Sequence, residues 1–239
     1  MFEAAEIKHK VDKATFAREE PRLRETLLTA QKTLDEKKPF EVVILLAGLA
    51  GAGKGDVLAT LNEWLDPRQV DTVDGDDATD EERERPYMWR FWRALPPKGR
   101  IGVFVHTWYG DPVAERIGAD LARAALDQRL AAIRRFERML ADEGALVLKF
   151  WLHFSKKQQR KRLAKLEKRR ATRWRVTKED WAEHKRYGDV VSVWRHAIRT
   201  TNQAHAPWTV VAAADPEFRM LTVAKTLAAA LEQRLAGPR

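Results

Sequence analysis

The segment GLAGAGKG, from Gly48 to Gly55, has the residue types and spacing of a phosphate-binding loop. It fits the pattern G-x-x-x-x-G-K, in which glycines let successive backbone N–H groups point at one anion and the lysine adds a mobile cation. A glycine-rich structural turn is the alternative. A strand before the loop, a helix after it and a lysine at the right position together favour a phosphate site. Its expected residues are Gly48, Gly51, Ala52, Gly53, Lys54 and Gly55.

Gly55 stands where this pattern usually carries Ser or Thr, so the hydroxyl that would bind magnesium is missing. The ligands of any metal here would have to be carboxylates or phosphate oxygens. This difference argues against an ordinary nucleoside triphosphatase. The chain has no cysteine, which excludes disulfides and thiolate metal sites.

A strongly basic stretch with a net charge of +10 runs from Ser155 to Arg175, and because the whole chain carries +9, the rest of the chain is near neutral. The eleven Lys and Arg side chains of the stretch, Arg169 and Arg170 among them, are opposed only by Glu167. Such an excess attracts a polyanion, whether nucleic acid, a phospholipid surface or polyphosphate. A solvated helix face is the alternative. Nucleic acid is the weakest of these, because the run lacks interleaved aromatic residues and no known DNA- or RNA-binding motif surrounds it.

The elements that must position these groups alternate between buried strands and helices. Helical spacing predicts an N-terminal helix over residues 14–38, with Pro21 in its first turn or at a kink. Strands are expected at Glu41–Ala47, Gln69–Val73, Ile101–His106, Ala145–His153 and Trp208–Ala213. Further helices are expected at Asp56–Leu65, from Pro112 to Asp142, from Ser155 onward, from Thr177 to Asn202 and from Asp215 onward. Ser155 and Thr177 open capping boxes, and Gly144 closes the long helix.

This alternation predicts a single α/β domain over residues 1–239, a three-layer sandwich around a five-stranded, mostly parallel sheet. Residues 41–153 and 205–236 would form its core. The N-terminus lacks the apolar stretch of a secretory signal, and no run approaches about 18 apolar residues. A cytoplasmic protein without a membrane segment is expected.

At this point the sequence resembles the polyphosphate kinase 2 family. The loop is similar to that family's G-x-D-x-x-G-K-G. Further similar segments are LNEWLDPR from Leu61, ERERPYMWRFWRALPPKGRIGVF from Glu82, FERMLADEGALVLKFWLHFSKKQ from Phe136 and HAPWTVV from His205. The resemblance runs from about Phe16 to Leu235. It is closest to the N-terminal half of two-domain polyphosphate:AMP phosphotransferases, so the chain is either a freestanding relative or an excised domain.

The resemblance implies a P-loop kinase-like fold with a helical lid at about residues 165–200. It also implies phosphoryl transfer between inorganic polyphosphate and a nucleoside mono- or diphosphate, with Mg²⁺. Phosphates would be held by the loop glycines and by Lys54, which would be the catalytic cation if the site is active. Arg169 and Arg170 would close over the transferred group. Because members of this family commonly associate, the resemblance also implies that the chain forms a homo-oligomer or pairs with a catalytic homologous domain.

The sequence departs from the family pattern at two motifs. Ala50 replaces the loop aspartate. In FVHTWYGD, Val105 replaces a second aspartate, His106 an arginine, Gly110 an asparagine and Asp111 a second arginine. These changes predict a degenerate site, and three possibilities stay open: a working phosphotransferase, a binding module of little activity, and a nucleic-acid binder. The acid-rich segment from Asp74 to Glu82, together with Asp56 and Asp111, could supply substitute carboxylates. The tryptophans of the family-like segments, such as Trp92, are expected in the core or an interface.

Overall fold

A computed structural model of the chain describes residues 1–74 and 78–237. Within them the backbone forms five strands, β1 (Val42–Gly48), β2 (Val70–Val73), β3 (Ile101–Phe104), β4 (Leu146–His153) and β5 (Trp208–Ala212). They lie in the order β2-β3-β1-β4-β5, and every neighbouring pair is parallel. The predicted α/β fold with five strands is confirmed, and the sheet is wholly parallel where a mostly parallel one was expected.

Strand β1 lies at the centre of the sheet, and its apolar run is fully buried, as expected for a strand covered on both faces. Val42 pairs with Ile101 of β3 on one side and with Leu146 of β4 on the other. All carboxyl ends of the strands therefore meet at one edge of the sheet. In open α/β sheets this edge, where neighbouring connections diverge, is where ligands bind.

Helices cover both faces of the sheet, and their bounds are α1 (Glu3–Glu6), α2 (Lys13–Lys37), α3 (Lys54–Trp64), α4 (Asp80–Arg83), α5 (Trp89–Arg93), α6 (Gly110–Gly118), α7 (Arg123–Asp142), α8 (Lys156–Lys168), α9 (Lys178–Lys185), α10 (Tyr187–Thr201) and α11 (Pro216–Leu235). Helices α2, α3 and α11 pack against one another, and α6, α7 and α10 form a second group. Helices α8 and α9 contact each other between β4 and β5. In the part of the chain that is described, no helix has the length and apolar character needed to cross a membrane.

Two helices that the sequence predicts as continuous are broken, and those predictions were wrong. The helix from Pro112 to Asp142 is α6 and α7, separated where Ala119 adopts a left-handed conformation with φ 71°. The helix from Thr177 to Asn202 is α9 and α10, interrupted at Arg186. Gly118, the last residue of α6, is a glycine signal at the first break, whereas no Gly or Pro lies between Lys178 and Tyr187 at the second.

The predicted helix ends agree more closely. Both capping boxes form, with the side chains of Ser155 and Thr177 accepting from backbone N–H groups three residues on. Gly144 has φ +100°, as the helix end before β4 requires. Pro21 lies inside α2 rather than in its first turn, and the helix continues through it.

The core encloses most of the aromatic side chains that the sequence assigns to it. Trp108 and Trp151 are fully buried and Trp208 nearly so. Trp92 is 50% exposed, so of its two expected places, core or interface, the core does not apply, and Trp174 in the basic region is 72% exposed. The core therefore supports the carboxyl edge of the sheet but leaves two tryptophan rings at the surface.

Candidate functional site

The predicted phosphate loop connects the carboxyl end of β1 to the first turn of α3. Gly48 lies so close to β4 that a Cβ there would be 2.7 Å from the Cβ of Leu152. Gly51 and Gly53 have φ of +75° and +94°, conformations that L side chains rarely adopt. Each of these glycines is therefore required by a close approach or a backbone bend.

Lys54 is the first residue of α3, so the loop ends at a helix N-terminus. The first N–H groups of a helix lack intrahelical acceptors, and its dipole favours negative charge there. Nothing lies within 4 Å of the position a Cβ would take at Gly55. The start of α3 is thus open on this side, with Ala52 buried beneath the turn.

Asp56, in the first turn of α3, accepts hydrogen bonds from three arginines that are distant in sequence. Its carboxylate lies 2.8 Å from Arg162 of α8, 3.0 Å from Arg175 and 3.3 Å from Arg219 of α11. One carboxylate and three guanidinium groups leave an excess of positive charge beside the loop. Such a cluster attracts an anion with several negative oxygens.

Arg219 is the most enclosed member of this cluster, with 3% of the residue exposed. Its guanidinium fills the space beside Gly53, where a Cβ would come within 2.6 Å of Cζ. It also donates to the carbonyl of Ala213, at 3.0 Å. Burial lowers the pKa of Arg219, and the charge of Asp56 opposes that effect. Within the described residues, the buried Nε atoms of Arg162 and Arg219 have no acceptor.

Both backbone polar groups of Ala50 are bound by side chains from α8 and α9. Its N–H donates to Oε1 of Glu183 at 2.7 Å, and its carbonyl accepts from Nε2 of Gln159 at 3.3 Å. Gln159 also donates to Oε1 of Glu183 at 3.1 Å and lies 2.9 Å from Nδ1 of His184. Burial raises the pKa of Glu183, while the hydrogen bond from Ala50 and the charge of Lys54 lower it.

The second motif begins at the end of β3 and continues into α6. Val105 is half-buried, and its N–H donates to the carbonyl of Val73. Nε2 of His106 lies 3.2 Å from Oδ1 of Asp111, and this contact lowers the pKa of the Asp111 carboxyl. Gly110 is the first residue of α6. The motif therefore offers a His–Asp pair, with an aliphatic side chain at position 105.

A buried ion pair supports this motif from below. Nζ of Lys149 lies 2.6 Å from Glu137, and both side chains are fully buried. Glu137 accepts from the indole of Trp108 at 3.0 Å and from the hydroxyl of Tyr109 at 2.7 Å. Burial lowers the pKa of Lys149, although Glu137 opposes the shift. The pair thus fixes the two aromatic residues between His106 and Gly110.

The predicted lid arginines are not bonded to the loop in the part of the chain that the structure describes. Arg169 and Arg170 are exposed in the turn after α8, and within residues 1–74 and 78–237 neither makes a hydrogen bond or ion pair with the loop. The arginines that do reach Asp56 are Arg162 and Arg175 of the same basic stretch, together with Arg219. The last 15 residues of the predicted lid belong largely to α10, which packs against α6 and α7.

Three contributors escaped the sequence reasoning, namely Gln159, Glu183 and Arg219. Their partners lie 109 to 163 residues away along the chain. Asp56 was considered as a substitute carboxylate, but its arginine contacts leave it engaged. In the predicted acidic segment, residues 75–77 lie outside the described residues.

A magnesium ion takes oxygen ligands, from carboxylates, phosphates or water. In the two described ranges, no group of three His, Cys, Asp or Glu side chains could hold a metal. Ala50, Val105 and Gly55 have no side-chain oxygen, while Asp56 is bound by arginines and Asp111 faces His106. The described side chains therefore form no Mg²⁺ site of their own, and an ion here would take most of its ligands from phosphate oxygens and water.

Residues 10–237 match the family model described as Polyphosphate kinase 2. The chain is 45% identical to a polyphosphate:AMP phosphotransferase of Pseudomonas aeruginosa, over 99% of this chain and 48% of that relative. It is 30% identical to an AMP/ADP-polyphosphate phosphotransferase of Meiothermus ruber, over 88% of this chain and 79% of the relative. A crystal structure of polyphosphate kinase 2 from Arthrobacter aurescens superimposes with a TM-score of 0.89 at 28% identity, covering 94% of this chain and 81% of that one. The chain spans about half the length of the Pseudomonas relatives.

Proposed function

The chain belongs to the polyphosphate kinase 2 family, and from this premise we propose that it binds inorganic polyphosphate at the Gly48–Gly55 loop and a nucleoside mono- or diphosphate nearby, with a degenerate site for phosphoryl transfer. Its relatives are named for transfer between polyphosphate and AMP or ADP. The observation that carries the proposal is that the loop keeps its glycine-rich backbone but has no free carboxylate at position 50 or 56. The loop retains its anion-binding backbone, but position 50 has no carboxylate and Asp56 is bound by three arginines.

Polyphosphate binding follows from the arrangement of positive groups around the loop. The first turn of α3, Lys54 and the guanidinium cluster at Asp56 lie together at the carboxyl edge of the sheet. An inorganic polyphosphate chain presents negative oxygens at every unit, so it can engage these groups at once. Arg169 and Arg170, exposed at the end of α8, extend the positive surface and close over the bound chain.

Weak transfer follows from what the site lacks. Phosphoryl transfer needs aligned oxygens and neutralised charge, and loss of one electrostatic contributor costs about 10²–10³ in rate. Ala50 and Val105 contribute no such group, and the arginine-bound Asp56 and the His106–Asp111 pair do not replace it. The poor fit of these side chains to Mg²⁺ adds to this expectation.

A second candidate is an inactive binding module that assembles with a catalytic homologous domain. It is favoured by the coverage, because this chain corresponds to about half of the Pseudomonas phosphotransferases. In this case polyphosphate or nucleotide binding persists without turnover. Addition of a catalytic domain would then raise transfer above the level of that domain alone.

The test compares binding with turnover in the same preparation. Titration calorimetry with a short polyphosphate should detect binding that weakens steeply with added salt and that Lys54→Ala removes. ADP formation from AMP, polyphosphate and Mg²⁺ should remain slow, and Ala50→Asp with Val105→Asp should raise it. Arg169→Ala with Arg170→Ala should weaken binding and flatten its salt dependence. Rapid ADP formation by the unmodified chain would refute the degenerate site, and absence of polyphosphate binding would refute the proposal as a whole.

A further inference from the structure

The backbone of Ala50 is held on both sides by groups that belong to other helices. Glu183 of α9 accepts its N–H at 2.7 Å, and Gln159 of α8 donates to its carbonyl at 3.3 Å. The two side chains also bond each other at 3.1 Å. Gln159 is fully buried, so its polar groups have no access to bulk water and depend on these partners.

This contact acts on the part of the loop that sets its curvature. Ala50 precedes Gly51, whose φ of +75° bends the chain, and the carbonyl of Leu49 closes the turn by accepting from Ala52. The bend also packs on α8, because a Cβ at Gly51 would be 2.9 Å from Cδ2 of Leu163. If the Ala50 peptide rotated, the N–H groups after it would turn away from their common anion.

The same contact connects the loop to α8, which belongs to the basic stretch, and to α9, which follows it. Helices α8 and α9 lie on either side of the exposed turn with Arg169 and Arg170. Moving α9 away from the loop would leave the Ala50 N–H without its acceptor. Leaving such a group unpaired is unfavourable, so the loop geometry and the position of α9 depend on each other.

We infer that Glu183 and Gln159 are positioning residues, which hold the Ala50 peptide and thereby couple α9 to the shape of the phosphate loop. This inference rests on the proposed polyphosphate binding at that loop. Neither side chain is assigned a contact with phosphate. Glu183 acts through Ala50, and Gln159 orients Glu183 and the carbonyl together.

The experiment uses Glu183→Ala, Glu183→Gln and the control Glu179→Ala. Glu179 is exposed on the same helix and bonds only within its own N-terminal turn. Glutamine at position 183 keeps an oxygen that can accept from both Ala50 and Gln159. We therefore expect Glu183→Ala to weaken polyphosphate binding about tenfold or more, Glu183→Gln to restore most of the affinity, and Glu179→Ala to match the parent chain.

The hydrogen-exchange rate of the peptide covering residues 49–55 distinguishes a local change in the loop from a loss of stability of the whole chain. Glu183→Ala should speed exchange at this peptide while strand β1 remains protected. If that variant does not fold, Gln159→Met, which keeps the side-chain volume and removes the donor, should give the same local change. Unchanged exchange and affinity in Glu183→Ala would overturn the inference.

A gain in polyphosphate affinity would also contradict the positioning role of Glu183. If both variants at position 183 bind polyphosphate more tightly than the parent, Glu183 competes with the anion and does not position the loop. If the parent chain binds no polyphosphate, the proposed function fails. The exchange measurement still decides whether Glu183 holds the loop.

Discussion

Gly53→Ala should destabilise the chain more than the backbone conformation of this residue alone can explain. Gly53 has φ +94°, and a Cβ there would lie 2.6 Å from Cζ of Arg219 and 2.8 Å from each terminal nitrogen. The guanidinium is buried and bonded to Asp56 and to the carbonyl of Ala213. It cannot move aside without loss of these bonds.

Two contributions add up in this variant. A left-handed conformation costs an L residue about 1–2 kcal/mol. Displacing Arg219 from its charged partner adds about 1.5–3 kcal/mol, the usual contribution of a hydrogen bond to a charged group. We therefore expect a loss of roughly 3–5 kcal/mol in the free energy of unfolding. For a chain of this length, that corresponds to a fall in Tm of roughly 6–20 °C.

The chain supplies matched controls for the two contributions. Gly144 has a similar φ of +100°, and nothing lies within 4 Å of its potential Cβ. Gly144→Ala should therefore cost only about 1–2 kcal/mol. Gly188 lies in α10 with open space around it, so Gly188→Ala should be neutral or slightly stabilising.

Urea unfolding followed by circular dichroism measures all three variants, and calorimetry with polyphosphate measures the loop. Gly53→Ala should also bind polyphosphate more weakly than Gly144→Ala. Equal losses of stability in these two variants, within about 0.5 kcal/mol, would refute the role given to Arg219.

Two further predictions concern buried ionisable groups. Lys149→Met leaves Glu137 buried without its cation and should cost about 3–5 kcal/mol of unfolding free energy. Adding Glu137→Gln should recover most of that loss. Urea unfolding measures both variants, and an unchanged stability of Lys149→Met would contradict the ion-pair account. Burial lowers the pKa of His153 below its ordinary 6.5, although its contact with Glu6 opposes the shift. The unfolded chain therefore takes up the proton first as the pH falls, so this contribution to stability is complete above about pH 6.5 and declines below it. Urea midpoints at about pH 7.5 and about pH 5.5 should differ by less in His153→Gln, and an unchanged difference would exclude His153 as the source.

Much of the fold could be predicted because its signals are local. The apolar run of β1, the glycines and lysine after it and the caps at Ser155 and Thr177 each lie within a few residues. The alternation of strands and helices then leaves few arrangements other than a parallel sheet. Gly118 is a local signal for the break before Ala119, but the helical spacing of the apolar residues around it favours one continuous helix. The break at Arg186 could not be predicted, because no Gly or Pro lies in the residues before it.

The part of the site that was missed depends on contacts between distant residues. Ala50 and Glu183 are 133 positions apart, and Asp56 and Arg219 are 163 apart. Nothing in the sequence spacing of either pair indicates that its two members are in contact. Only the fold brings α9 and α11 to the loop. The roles of Arg169 and Arg170 remain predictions that rest on the family resemblance.

The position of α8 and α9 in the chain limits how this part of the molecule can open. They follow β4 and precede α10, and both of these neighbours are packed into the body of the protein. A segment fixed at both ends cannot swing about a single hinge. An opening of residues 156–185 would therefore need backbone rotation at both ends of the segment, near Ser155 and near Arg186.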